Sequence, residues 1–248
     1  MAPERLSSQM SRWASTAAAI GLAFFLTALP GMGQSTTQAL SNGLNDERIL
    51  GVIPNYQTVN DPNLPVIPLT VKQKFDLFAK ETMDPFNVAS AAFGSAFSQA
   101  GNETPKYGHG RAALAERFGA AMGDMATQNL FSAAVLASLL HQDPRYFRKG
   151  PGSGVLARVA YSVSRLAVAR QDSGGYAFNA SGIFGMMLGI AASNAYYPSA
   201  SAHGSVMAER LTTSLTGGVI GNLTSEFWPD IQRKFFRRHR QEPYLMRP

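Results

Sequence analysis

The chain has 248 residues and a formal net charge of +6, with 45% hydrophobic and only 15% charged residues. That charge content is well under the roughly 25% usual for soluble domains, and the length allows one or two domains with a sizeable core. The absence of cysteine excludes a disulfide framework, a thiolate metal site and a lipid anchor attached through cysteine.

Residues 1–33 read as a signal peptide. Arg5 and Arg12 supply a positive start, Trp13 to Leu29 an apolar run, and Gly31 and Gly33 the small residues before a cleavage point at Gln34. An uncleaved anchor helix is the alternative, though the run is short for a membrane span. Export places the protein in the periplasm or outer envelope and makes nucleic acid an improbable partner.

Residues 34–69 form an extended, proline-rich arm. Its prolines remove backbone donors and disfavour helix. Within it Arg48 to Tyr56, "RILGVIPNY", is apolar enough to lie on the body as a strap, a disordered leader being the other reading. A helical domain over 70–240 follows, with a short tail over 241–248. Thr70 and Gln73 form a capping box. Val71, Phe75, Phe78 and Ala79 make its apolar face. Asp84-Pro85 restarts the chain as N-cap and first helical residue, and Gly101-Asn102 stops that second helix.

A long helix is expected from Arg111 to about Leu140, with a polar stripe of Arg117, Asp124 and Gln128. Gly119 and Gly123 permit close backbone approach. After the corner "HQDPRYFRKGPGSG", His141 to Gly154, comes an amphipathic helix over Val155 to Arg170. Leu156, Val159, Val163 and Leu166 lie on one side; Arg158, Ser162 and Arg165 lie on the other. Gly174-Gly175 ends it. The next helix carries Gly182, Gly185 and Gly189 as a small-residue seam. The last starts near His203 and breaks or kinks at Pro229. The expected fold is therefore all-α, a multi-helix bundle with glycine- and alanine-rich contacts. Strict strand alternation is missing, which argues against a β-barrel.

The charges are unevenly placed. Residues 141–172 carry six bases and two acids, and residues 228–248 the same, whereas Ser173 to Ser225 hold only Glu209 and Arg210. Basic patches of this kind suit anionic lipid or an envelope polymer. Arg145, Arg148 and Lys149, with Gly152, Ser153 and Gly154 leading into a helix, form a candidate anion site. Trp228, Arg233, Lys234, Phe236, Arg237 and Arg238 form a basic, aromatic helix end suited to a membrane surface.

Searches for catalytic motifs are mostly negative. The four histidines are isolated, no metal-ligand spacing occurs, and no cofactor is implied. His141 and Asp143 are the acid–base candidates, with helix capping as the simpler role. The strings "RILGVIPNY", "DPRYFRKG", "NAYYP" and "EFWPDI" resemble a family of exported bacterial proteins to which no activity is assigned; the resemblance spans about residues 46–240 and implies an envelope setting. Three readings stand: a non-enzymatic envelope protein held to a membrane surface by its basic end, an envelope-acting hydrolase using His141 and Asp143, and a small-residue bundle embedded in a membrane.

Overall fold

The computed structural model describes residues 48–49, 52–60 and 67–235. The expected signal peptide, the rest of the arm and the tail lie outside these residues. Three two-residue strands come first: β1 (Arg48–Ile49), β2 (Ile53–Pro54) and β3 (Thr58–Val59). β1 and β2 pair antiparallel. Helices follow: α1 (Val71–Thr82), α2 (Pro85–Ala100) and α3 (Arg111–Asn129). α3 runs on through a π-helical stretch, Leu130–Val135, into the short α4 (Leu136–Leu139). Then come β4 (Gln142–Asp143), β5 (Tyr146–Phe147), α5 (Val155–Ser164), β6 (Val168–Gln171), β7 (Tyr176–Phe178), α6 (Ala180–Ser193) and α7 (Gly204–Phe235).

Local chemistry accounts for the helix limits. The Thr70 hydroxyl accepts from Gln73 N while the Gln73 side chain accepts from Thr70 N, closing the capping box before α1. Asp84 caps α2 through Phe86 N, with Pro85 in the first turn. Gly101 ends α2 and Asn102 takes a left-handed conformation (φ 45°). His141, also left-handed (φ 52°), closes the long helix by donating its N–H to Ser138 O.

The bundle is mostly helical, but the all-α expectation needs correction. β3 pairs parallel with β5, Thr58 opposite Tyr146 and Val59 opposite Phe147, so the arm is stitched into the corner by a strand just past the expected strap, whose own β1 and β2 pair with each other. β4, β6 and β7 form a three-stranded antiparallel sheet. The helix expected from Val155 to Arg170 stops at Ser164, and Val168–Gln171 is extended. Gly174 (φ 93°) and Gly175 make the tight turn of the β6–β7 hairpin, not a helix end: Gly174 N donates to Gln171 O, and Gln171 N donates to Gly175 O. Cross-strand pairing of Val168 with Phe178 outweighs the helical pattern there. Nor does Pro229 break α7, which spans it and continues to Phe235.

The glycine seam places α6 across α3 and the π-helical stretch. A Cβ on Gly189 would lie 2.8 Å from both N and Cα of Gln128, and one on Gly185 would meet the backbone of Ser132. Only glycine permits that approach. By contrast Gly119 faces open space, and Gly123 meets the ring of Tyr196.

Candidate functional site

The interior is polar to an unusual degree, and α5 illustrates why. Its apolar stripe points outward, with Leu156 82% and Val163 44% exposed, while Arg158 (5%) and Ser162 (0%) are buried. The amphipathic pattern is real, but its orientation is the reverse of the usual one. α1 behaves alike: Val71 and Phe75 are exposed and Lys74 is 1% exposed. On α2, Ser95 is buried and Phe93 and Phe97 are exposed; on α6, Ser181 and Ser193 are buried and Phe184, Met187 and Leu188 are exposed.

Buried charges are tolerable only when paired and hydrogen-bonded. The centre that achieves this is Glu226 of α7, which is completely buried. One carboxylate oxygen accepts from Arg158 Nε (2.7 Å) and Gly150 N (3.0 Å). The other accepts from the Tyr146 hydroxyl and Lys149 N, both at 2.9 Å. The main-chain carbonyl of Glu226 accepts from Arg148 Nε and Nη2 and from Arg158 Nη2. One turn on, Asp230 accepts from Arg148, Arg158 and Arg233. The Tyr146 hydroxyl also meets Ser162 Oγ at 2.9 Å, and burial raises its pKa far above the ordinary phenol value. Hydrogen bonds and charge from Glu226 and Asp230 hold the Arg158 guanidinium protonated against the cost of burial.

Two backbone donors of the basic corner, Lys149 N and Gly150 N, do converge on an anion together with the Arg158 guanidinium, and that anion is the chain's own Glu226; Arg148 of the corner reaches only its main-chain carbonyl. Arg145 closes on Asp143, with Nε 2.9 Å from Oδ1 and Nη2 2.6 Å from Oδ2, and also donates to Ile67 O. Arg148 is committed to Glu226 and Asp230. Lys149 gives its N–H to Glu226 but leaves its side chain at the surface. Gly152 is exposed, Ser153 N donates to Gly150 O, and Gly154 caps α5 without a side chain.

The acid–base candidates lie close in the chain but are not hydrogen-bonded to one another. Asp143 is buried against Arg145, whereas His141 is exposed at the helix end. Among the described residues no group of three or more His, Asp and Glu could hold a metal ion. Of the membrane-surface set, Trp228 is half-buried, the Arg233 side chain is 51% exposed and paired with Asp230, and Lys234 is exposed. Phe236, Arg237 and Arg238 lie outside the described residues.

Glu226, Asp230 and Arg158 were missed as a unit by sequence reasoning. The available signal was a pair of acids one turn apart, at the end of a long stretch almost without charge. A second cluster has the same logic. Asp124 accepts from the hydroxyls of Tyr196 and Tyr197 and pairs with Arg210 at 2.8 Å, while the Tyr107 hydroxyl donates to Tyr196 O. Burial pushes Tyr107 up to about 12. Arg117 spends its guanidinium on Ser98, Asn102 and the carbonyls of Glu103 and Gly108. The polar stripe of α3 is therefore an interior seam.

No family model matches the chain, and no curated protein or solved structure matches it either.

Proposed function

We propose that this is an exported, non-enzymatic helical protein of the cell envelope that lies against a membrane, with lipid covering its outward apolar helix faces. The reversed orientation of α5 carries the reading: Arg158 and Ser162 are buried while Leu156 and Val163 are exposed. In water such an arrangement leaves apolar side chains hydrated on several elements at once, which is costly. Against hydrocarbon or the headgroup boundary, apolar residues belong outside, and polar groups must find partners within the protein. The Glu226 and Asp124 networks meet that requirement. The N-terminal leader and the family resemblance support the envelope setting. No helix among the described residues is long and apolar enough to cross a membrane, and the proposal is of a body seated in the interface. The basic end of α7 adds attraction to anionic headgroups.

The test is fractionation of the protein from its host envelope. Resistance to high salt, with partial release by alkaline carbonate, is the expected outcome. Recovery of the whole population in the soluble fraction at low salt would refute the reading.

A further inference from the structure

The exposed aromatic residues of the β6–β7 hairpin and of α6 join into one strip. Tyr176 and Phe178 alternate on one face of β7, both more than half exposed, with the less exposed Ala177 between them. The Phe178 ring meets the Phe184 ring edge-on, their centroids 6.4 Å apart. From Phe184 the same face runs along α6 through Met187 and Leu188, three and four residues on, which are 45% and 44% exposed. Gly185 and Gly189 hold the covered side of that helix against Ser132 and Gln128. Five large side chains thus form a continuous surface on a fixed support.

Polar groups around the strip are answered inside the protein. β7 is the edge strand of its sheet, yet the Phe178 carbonyl accepts from Gln142 Nε2 at 2.6 Å. At the start of α6, Asn179 N donates to Ala167 O, Ser181 N to Gln142 Oε1 and Gly182 N to Asn179 Oδ1. These are three of the four amide groups that a helix start leaves open, and none of the three needs water. That is the condition for a surface that meets hydrocarbon. Charge points the same way. From Ser173 to Ala208 the sequence holds no Asp, Glu, Lys or Arg. The cations beside the strip are at its Tyr176 edge: Arg170 is the cross-strand partner of Tyr176, and Arg165 Cζ lies 4.6 Å from its ring centroid. The one acid of the hairpin, Asp172, is spent on Lys74. A second copy docked strip to strip would bring the same arginine edge and no acid to answer it. An anionic bilayer complements both parts, with acyl chains for the apolar strip and phosphates for the arginines.

From this arrangement we infer that Tyr176, Phe178, Phe184, Met187 and Leu188 are the surface by which the protein enters the acyl region of an anionic bilayer, with Tyr176 at headgroup level. The inference rests on the membrane-facing reading above and fixes which face is immersed, a choice that reading leaves open. α6 has 14 residues, about 21 Å of helix against the ~30 Å of a hydrocarbon core, so it lies along the interface and does not cross it. Tyr176 suits the boundary because its ring is apolar and its hydroxyl is polar.

The experiment uses vesicles of phosphatidylcholine with one third phosphatidylglycerol. The chain has no cysteine, so single-cysteine variants carrying a bimane label report one position each. Labels at M187C and L188C should be quenched most by a nitroxide on the acyl chain. A label at Y176C should be quenched most by a nitroxide on the headgroup. A label at E116C, an exposed and charged position of α3, should be quenched least by both. In flotation, F178S/F184S should lose about 25-fold in vesicle affinity, at about fivefold for each half-exposed ring. M187S/L188S should lose about tenfold by the same reasoning, and circular dichroism checks that both pairs fold. Flotation of the wild type with equal acyl quenching at Met187, Leu188 and Glu116 positions, or with affinity unchanged in both serine pairs, would overturn the strip and leave the membrane reading standing. Failure of the wild type to float would overturn both. If the serine pairs instead turn a dimer into a monomer in nonionic detergent and leave vesicle affinity unchanged, the strip belongs to a second copy and the lipid assignment falls.

Discussion

Replacing Glu226 by glutamine tests the account of the interior directly, because it keeps shape and removes one charge. The carboxylate accepts four hydrogen bonds, two at each oxygen. A glutamine oxygen in the Oε1 position can still accept from Gly150 N and Arg158 Nε. Its amide nitrogen then faces Tyr146 and Lys149. The Tyr146 hydroxyl can rotate to accept, since Ser162 Oγ is in reach at 2.9 Å as an alternative partner. Lys149 N–H cannot rotate and is left facing a donor, which costs about 1–3 kcal/mol. Loss of one member of a buried ion pair costs about 3–5 kcal/mol. Here Arg158 retains Asp230 and the main-chain carbonyl of Glu226, so the lower part of that range applies. The net expectation is a loss of about 3 kcal/mol, or roughly a 1 M fall in the urea midpoint at an ordinary m-value. The assay is urea unfolding in a mild nonionic detergent followed by far-ultraviolet circular dichroism. D230N is the comparison. Its side chain is 25% exposed and can rehydrate, so its loss should be about 1 kcal/mol. An E226Q loss below 1 kcal/mol, or no larger than that of D230N, would refute the claim that this carboxylate organises the corner.

Three further outcomes are expected. G185A should cost more than about 3 kcal/mol or prevent folding, because its Cβ meets the Ser132 backbone, whereas G119A, which faces open space, should stabilise by about 0.5–1 kcal/mol; paired thermal melts check both. Burial, reinforced by repulsion from Asp84 and opposed by Lys80 and Asn87, raises Glu81 from 4.5 to about 7. The folded state therefore holds its proton more tightly than the unfolded one, and stability should decline as pH rises from about 4.5 to 7, by on the order of 1–2 kcal/mol after allowance for solvent screening; E81Q should flatten that decline in urea titrations at several pH values. At Asp84, burial disfavours the charge, but hydrogen bonds from Tyr56, Arg48 and Phe86 N outweigh it and hold the carboxyl below its usual value. D84A should thus cost about 2 kcal/mol, through a lost cap and a lost partly buried ion pair, and should speed proteolysis within Arg48–Asn60; cleavage unchanged from wild type would contradict the strap's anchoring.

Punctuation was the most legible part of the fold. Thr70 with Gln73, Asp84 with Pro85, Gly101 and the glycines of α6 each act through backbone chemistry within a few residues, so a linear reading finds them. The orientation of the helices was not legible. Periodicity reports that α5 has two faces but not which one is covered; that depends on Glu226 and Asp230, which lie far along the chain. For the same reason the basic corner was recognised as suited to an anion while the anion went unseen. The sequence marks Trp228 and its basic neighbours as a surface feature, whereas the two acids of "EFWPDI", Glu226 and Asp230, are what the fold uses. β6 was hidden because "LAVAR" continues the helical spacing of α5, and only pairing with β7 turns it into a strand.

The partners of Glu226 lie 68 to 80 residues before it in the chain. Until α7 arrives, Arg158, Tyr146 and two amide groups have nowhere to discharge their polarity, so the corner has no stable half-built form. Folding must then be governed by long-range closure, slow and all-or-none rather than helix by helix. If the chain is exported unfolded, as proposed above, such a late-closing lock would keep it threadable through a translocation channel until α7 has crossed.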